Sequence, residues 1–195
     1  AGLGNPGSRY DGTRHNIGFA AVDQLAATRS AAWRPERRFC AHTATIEVAG
    51  CPVLLLKPQT FMNASAQAVS AVCRFFKWHP SDFLVVVDEF QLPLGRSKLS
   101  LRGSAGGHNG IADLIRQLGP EFPRYRIGIA PAQPVVQSMT DYVLGKFTPE
   151  ETKILATCWE RILSELELTV QRGPQPAMNI INQRQPQNDS KHPEV

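Results

Sequence analysis

Helix-like and strand-like stretches alternate along the chain, and this alternation constrains the fold more than any other feature. Apolar residues recur with helical spacing over residues 17–27, whereas residues 42–48 alternate like a half-buried strand and residues 51–56 form a continuous apolar run. The pattern continues at residues 63–78, 83–87, 96–101, 109–118 and 125–129. Strands that alternate with helices build a sheet covered by helices. We therefore predict an α/β fold, a single globular domain over residues 1–183, with a mixed, mostly parallel twisted sheet and helices on both faces.

Local sequence patterns near the two ends of the chain predict a helix start, a disordered tail and a truncated first strand. Thr148 followed by Pro149 and two glutamates predicts a helix N-terminus. The apolar stripe predicted for this helix is Ile154, Cys158, Ile162, Leu166 and Val170. Residues 184–195 are polar and proline-containing, which predicts a disordered tail. Because Ala1 lies inside what should be the first strand, we expect residues to precede it, and this leaves room for a targeting peptide.

Composition limits the class of protein only loosely. Of the 195 residues, 42% are hydrophobic and 19% are charged, which is typical of a soluble globular protein. The formal net charge of +4 permits an anionic partner without requiring one. The four cysteines are scattered without metal-ligand spacing, so we expect reduced thiols, no zinc site and a cytoplasmic location.

Polar side chains occur in four separate loops or strand ends. They are Asn5, Tyr10 and His15 in the first loop, Met62 and Asn63 after the third strand, Asp88 after residues 83–87, and His108 and Asn109 after a glycine-rich loop. In an open α/β sheet, the loops at one end of the sheet come together in space. We therefore expect these residues to line one crevice.

A histidine and an aspartate in one crevice suggest acid–base chemistry. Asp88 can accept from one ring nitrogen of His15 and leave the other free to deprotonate water. The asparagines offer neutral donors and acceptors for carbonyl and amide groups. No activated serine or cysteine and no metal set accompanies them, which favours attack by water without a covalent intermediate. The glycine-rich residues 2–7 and 103–107 lack the sequence context of a nucleotide-binding loop.

Each of these residues also has a structural interpretation. Asn63 and Asn109 could be helix N-caps, and Asp88 could cap a turn. His15 and His108 could be structural histidines that take no part in a reaction.

Six motifs, in order and over most of the chain, closely resemble the bacterial-type peptidyl-tRNA hydrolase family. The first combines residues 2–7, Tyr10 and residues 13–18, and the others are residues 57–63, 87–89, 106–110, 126–129 and 142–147. The resemblance implies an α/β monomer that hydrolyses the ester between peptide and tRNA and so recycles tRNA from stalled translation. It implies no metal or organic cofactor, and peptidyl-tRNA as the partner.

The resemblance also implies roles for individual residues. His15 would be the general base and Asp88 would orient it, while Asn5 would bind near the scissile ester. In the substrate-binding set, Asn63 and Asn109 would hold the peptide and the water, Tyr10 and Met62 would shape the pocket, and His108 would sit beside it. The tRNA phosphates would meet Lys98, Arg102 and Arg126, and residues 133–143 resemble the family's gate over the cleft. The chain departs from the family's usual residues at Ala66, Gln91, Ser100 and Ala130.

Two other functions remain open at this level. One is an RNA-binding protein of the same fold with little hydrolysis, similar to plant organelle splicing factors. A broad exposed apolar patch would favour it, whereas an intact His15–Asp88 pair argues against it. The other is an unrelated nucleotide-binding α/β protein, for which the chain lacks phosphate-loop chemistry.

Overall fold

Two three-stranded sheets form the centre of the fold. The computed structural model describes residues 1–133 and 136–183. The first sheet has the order β1-β2-β3, and its strands are β1 (Arg34–Glu36), β2 (Ala41–Val48) and β3 (Cys51–Pro58). The second has the order β4-β6-β5, and its strands are β4 (Val85–Pro93), β5 (Ser97–Ser100) and β6 (Arg124–Ala130).

The first three residues of the chain lie between the two sheets. The amide of Gly2 donates to the carbonyl of Leu56 on β3 at 3.0 Å, and the amide of Leu3 donates to Val86 on β4 at 3.0 Å. The amide of Val86 in turn donates to Ala1 at 2.8 Å. This short segment therefore joins the two sheets edge to edge.

The α/β domain with a mixed sheet is confirmed, but the expectation of mostly parallel strands is wrong. Among the pairings of these strands, only β4 with β6 is parallel, and β1–β2, β2–β3 and β5–β6 are antiparallel. β2 and β3 are joined by the two-residue turn at Ala49 and Gly50, and a turn this short can connect only antiparallel strands.

Helices cover both faces of the sheet, as predicted. They are α1 (Ile17–Thr28), α2 (Ser65–Phe76), α3 (Asn109–Leu118), α4 (Met139–Leu144), α5 (Pro149–Arg172) and α6 (Pro174–Gln183). Successive side chains of a strand point to opposite faces. Accordingly, Val85 and Val87 of β4 pack in the core with α2 and α3, whereas Val86 packs with α1, α5 and α6.

Several local predictions need correction. Asp88 does not end its strand but lies within β4, where the regular pairing with β6 includes Asp88 opposite Ile127. Residues 34–36, which lie outside the predicted strands and helices, form β1. On α5, Leu155 is buried while Ile154 is 49% exposed, so the predicted stripe is wrong at its first member. The expected tail, residues 184–195, lies outside the described residues.

α1 approaches the centre of the sheet unusually closely at Gly18. A Cβ atom added at Gly18 would lie 2.3 Å from the carbonyl oxygen of Val86 and 2.5 Å from that of Leu3. Only glycine fits there, since both neighbours are backbone atoms of the sheet. This contact fixes the start of α1 and the turn before it, which carries His15.

Within the described ranges, no helix is long and apolar enough to cross a bilayer.

Candidate active site

Three buried side chains from three separate elements meet beside β4. His15 belongs to the helical turn Arg14–Asn16, Asp88 to β4, and His108 directly precedes α3. One carboxylate oxygen of Asp88, Oδ1, lies 2.9 Å from His15 Nδ1 and 3.0 Å from His108 Nε2. All three residues are buried, so these hydrogen bonds are shielded from water.

The surroundings of His108 determine which of its nitrogens carries the proton. Its Nδ1 accepts hydrogen bonds from the amides of Gly110 and Ile111 at 3.1 and 3.2 Å, so it cannot carry a proton. The proton of the neutral ring is therefore on Nε2, which donates to Asp88. Through the same contacts His108 caps the N-terminus of α3.

The tautomer of His15 follows from Asp88. Burial alone would raise the pKa of the Asp88 carboxyl, but His108 and His15 lower it by more, so this pKa lies well below its usual range. The ionised carboxylate can only accept hydrogen bonds, so His15 donates to it from Nδ1. The lone pair of His15 is then on Nε2, where it can take a proton from water.

Asn5 is fixed by hydrogen bonds through both its side chain and its backbone. Its Oδ1 accepts from the amide of Met62 at 2.8 Å, which fixes the orientation of the carboxamide. Its backbone forms two hydrogen bonds with the side chain of Asn16: Asn16 Oδ1 accepts from the Asn5 amide at 2.8 Å, and Asn16 Nδ2 donates to the Asn5 carbonyl at 2.9 Å. The Nδ2 group of Asn5 is thus the donor available to a ligand.

A cleft with a volume of about 380 Å³ brings most of the predicted site residues together. Those that line it are Asn5, His15, Met62, Asn63, Asp88, His108, Asn109 and Arg126. Neither Asn63 nor Asn109 has its side chain in a helix cap, because α2 has no side-chain cap and α3 is capped by His108. The capping interpretation of the two asparagines is therefore wrong, and so is the turn-cap interpretation of Asp88.

The remaining predicted residues lie at or beyond the edge of the cleft. Tyr10 is not among the lining residues; its ring packs edge-to-face against Phe61, which does line the cleft, with centroids 6.2 Å apart. Lys98 is exposed and lies directly opposite Arg126 across β5 and β6. Arg102 is also exposed.

Arg126 already has protein partners at the cleft. Its guanidinium forms an ion pair with Glu89 and donates from Nη2 to the carbonyl of Ser104 at 3.2 Å. Glu89 also lines the cleft and was not predicted to do so, although it directly follows Asp88. A phosphate at Arg126 would have to compete with this carboxylate.

α4 forms a wall of the cleft that the sequence argument treated only as part of a gate. Its lining residues are Met139, Thr140, Val143 and Leu144. Arg14 anchors this helix to the rest of the fold. Its guanidinium donates to the Tyr142 carbonyl at 3.3 Å, stacks on the Tyr142 ring, and forms an ion pair with Glu151 at 2.6 Å. The predicted gate spanned residues 133–143, of which 134 and 135 lie outside the described residues.

His15, Asp88 and His108 also form a potential metal-ligand set, with ligand atoms within 4.8 Å of one another. A histidine that binds a metal through one nitrogen normally carries a proton on the other. On His108 the other nitrogen, Nδ1, faces two amide donors, so a proton there would be opposed by both. The residues therefore fit a hydrogen-bonded cluster better than a metal site.

Known proteins share this fold and sequence along almost the whole chain. A family model described as peptidyl-tRNA hydrolase matches residues 1–189. The peptidyl-tRNA hydrolase of Gloeobacter violaceus is 46% identical over 184 residues, covering 94% of this chain and 92% of the relative. That of Synechocystis sp. is 44% identical, with 94% of each chain covered. A crystal structure of peptidyl-tRNA hydrolase from Acinetobacter baumannii matches with a TM-score of 0.84 and 37% identity, covering 93% of this chain and 92% of that one.

The chain therefore belongs to the peptidyl-tRNA hydrolase family, as its sequence motifs indicated. The family model and the relatives span nearly all of the described residues, so the assignment covers the cleft and both sheets.

Proposed function

We propose that this protein hydrolyses the ester bond between the peptide and the tRNA of peptidyl-tRNA, and that His15 is the general base. The observation that carries the mechanism is the hydrogen bond of 2.9 Å between His15 Nδ1 and the ionised Asp88, which leaves the other ring nitrogen free of a proton. The family assignment supports the substrate class.

The reaction can proceed without a covalent enzyme intermediate. Water attacks the ester carbonyl carbon while His15 Nε2 takes its proton, and the negative charge of Asp88 stabilises the imidazolium that forms. The ribose oxygen of the tRNA then leaves with the electron pair of the broken ester bond and receives that proton. The peptide is released as a carboxylic acid, which loses its proton to solvent at neutral pH, and the tRNA is free.

Polar groups around the base would place the substrate. Asn5 Nδ2, fixed by the contact of its Oδ1 with Met62, would donate to the ester or the tRNA terminus. Asn63 and Asn109, exposed at the cleft, would bind the peptide and orient the water. We further propose that the protein acts as a cytoplasmic monomer without a metal or organic cofactor.

The direct test measures peptide release from a peptidyl-tRNA by wild type and by His15→Ala. General-base catalysis contributes about 10²- to 10⁴-fold, so turnover should fall by about that factor while tRNA affinity is retained. His42→Ala, which changes a histidine of β2 outside the cluster, serves as the control and should keep wild-type turnover. Equal rates for wild type and His15→Ala would refute the mechanism.

The alternative, an RNA-binding protein with little hydrolysis, is favoured by one observation. Phe75, Phe76 and Trp78 are 53%, 42% and 37% exposed and lie together on the surface. The buried His15–Asp88 pair argues against the alternative, because a protein that only binds RNA has no use for an oriented base. Wild-type turnover in the same assay separates the two functions.

A further inference from the structure

The C-terminal end of α2 carries an aromatic and basic surface that the cleft does not use. All six residues from Arg74 to His79 are exposed. Phe76 and Trp78 stack with ring centroids 4.7 Å apart, and Phe75 meets Phe76 edge-to-face at 4.9 Å. We call this surface the α2 patch; it comprises Arg37, Arg38, Arg74, Phe75, Phe76, Lys77 and Trp78.

The helical turn Arg37–Phe39, which precedes β2, contributes Arg37 and Arg38 to the patch and so adds positive charge. Phe39, buried in the core, contacts the Phe75 ring at 5.4 Å and so attaches the turn to α2. The Arg38 guanidinium lies over the Phe75 ring at 4.4 Å. The aromatic rings and the guanidinium therefore form one continuous surface.

The patch is strongly cationic. Among the described residues, Arg37, Arg74 and Lys77 form no ion pair, and all three are exposed. Two carboxylates lie nearby, Glu36, which pairs with Arg38 at 3.0 Å, and Asp82, which accepts from the amide of His79 at 2.7 Å, so the cations of the patch outnumber them. Its partner should therefore be anionic.

Exposed aromatic rings beside unpaired cations are the combination that binds RNA, because bases stack on the rings while the cations meet phosphates. A membrane partner would need a continuous apolar helix face. The apolar face of α2 is instead buried in the core, where Ala68, Val69 and Val72 pack, and the exposed apolar residues of this helix are confined to its last turn. These observations favour a nucleic acid over a lipid surface.

We propose that the α2 patch binds the RNA of peptidyl-tRNA at a distance from its ester, an inference that rests on the proposed function for the identity of the RNA. The turn that leads into α2 lies at the cleft, where Met62 and Asn63 line it. A helix of 12 residues is about 18 Å long. At roughly 3.4 Å per stacked nucleotide, that distance corresponds to about five nucleotides. One tRNA can therefore reach both places.

The test measures the binding of deacylated full-length tRNA, so that its outcome does not depend on hydrolysis. Trp78→Ala should weaken binding about tenfold, as expected for the loss of one stacked base. Arg37→Gln with Arg74→Gln should weaken binding and reduce the slope of log K against log salt by up to about two.

The matched control removes the same charge from the opposite face of the sheet. Lys153→Gln with Arg172→Gln changes two exposed cations of α5, and tRNA affinity should change much less. Thermal unfolding of each variant shows whether it is folded. If Trp78→Ala fails to fold, the charge variants still test the proposal, because they change only exposed side chains.

The outcomes decide between the partners. Unchanged tRNA affinity in the patch variants, or an equal loss in the α5 control, would overturn the proposal. So would Trp78-dependent binding to vesicles of anionic phospholipid with tRNA affinity unaltered, which would assign the patch to a membrane. Absence of peptide release by wild type would instead refute the proposed function, and the tRNA-binding result would still stand by itself.

Discussion

Asp88 receives hydrogen bonds from His15 and His108 through a single carboxylate oxygen. The two histidines are therefore linked: the amides at the start of α3 fix the tautomer of His108, and the carboxylate fixes that of His15. Their ring centroids are 4.9 Å apart. His108 thus helps to position the carboxylate that orients the base, a role the sequence argument did not assign to it.

Replacing Asp88 by asparagine should give an inactive but folded protein. The neutral side chain keeps the size but can present an N–H donor to His15 Nδ1, which would stabilise the tautomer that carries its proton on Nε2. We expect kcat to fall by about a thousandfold or more, as for the corresponding change in serine proteases, with tRNA affinity retained. Single-turnover release of peptide measures it, and a rate within tenfold of wild type would contradict the assigned role.

The same variant should reveal the lowered pKa of Asp88 in stability. Because folding lowers this pKa, the carboxylate stabilises the fold at pH above its ordinary value of about 4, and this contribution is lost as the pH falls towards the folded-state pKa. The free energy of unfolding of wild type should therefore fall relative to that of Asp88→Asn below about pH 4. Urea unfolding at several pH values tests this, and a difference independent of pH would disprove it.

Glu89 should restrain tRNA binding through its ion pair with Arg126. In Glu89→Gln the guanidinium no longer has to leave a carboxylate to meet a phosphate, so we expect tighter binding of tRNA and a steeper salt dependence. Glu47→Gln, which removes the same charge from an exposed position on β2, is the control. Equal affinities of Glu89→Gln and Glu47→Gln would show that the ion pair does not compete with tRNA.

At the scale of elements, α4 depends on contacts from outside its own six residues. Helices this short are marginal by themselves. Arg14 links α4 to the turn that carries His15 and to Glu151, which also completes the capping box of α5. The backbone adds a hydrogen bond of 3.0 Å from the Arg14 amide to the Gly145 carbonyl. The cleft wall and the base thus share one anchor.

Arg14→Gln should loosen α4 over the cleft. Loss of the partly buried ion pair leaves Glu151 unpaired, so we expect faster amide hydrogen exchange in residues 139–144 and a larger rise in KM than fall in kcat. Arg29→Gln, which breaks a more exposed ion pair with Glu167, is the matched control and should leave exchange in α4 unchanged. Wild-type exchange rates in α4 of Arg14→Gln would contradict this anchoring.

Elements with strong local signals could be predicted, and those without could not. The start of α5 follows from Thr148, Pro149 and Glu151, which form the predicted cap in the structure. α6 was not predicted, although Gly173 and Pro174 are a helix stop followed by a helix start. Strand direction was wrong because apolar periodicity identifies a strand but not its partner.

The same limit applies to the site. His15, Asp88, Asn5 and the two cleft asparagines were predicted, since each lies in a recognisable motif. The engagement of Arg126 by Glu89 was missed because it joins residues 37 positions apart and no local spacing signals it. The position of Tyr10 behind Phe61 likewise depends on packing that only the fold determines.

At the scale of the whole molecule, the core formed by the described residues is divided among three clusters, yet each shares elements with another. β2 and β3 contribute to two of them, and β4 contributes Val85 and Val87 to one cluster and Val86 to another. Neither sheet has a core that is independent of the other. This division argues for one domain over residues 1–183.

We therefore expect the protein to unfold in one cooperative transition. The calorimetric enthalpy should equal the van't Hoff enthalpy, as it does for smaller single domains. Differential scanning calorimetry, with near-UV circular dichroism and tryptophan fluorescence as independent probes, measures it. Two transitions would mean that the β1-β2-β3 and β4-β6-β5 sheets are stable separately.

The position of residues 1–3 at the centre of the sheet has a consequence for how the chain folds during its synthesis. These residues emerge from the ribosome before their partners, since Leu56 and Val86 follow much later in the sequence. The β2–β3 hairpin can form early from local contacts, but the seam between the sheets has to wait until β4 is made. The nascent chain would carry the edge of β3 uncovered during that interval, when unpaired strands are most prone to misassemble.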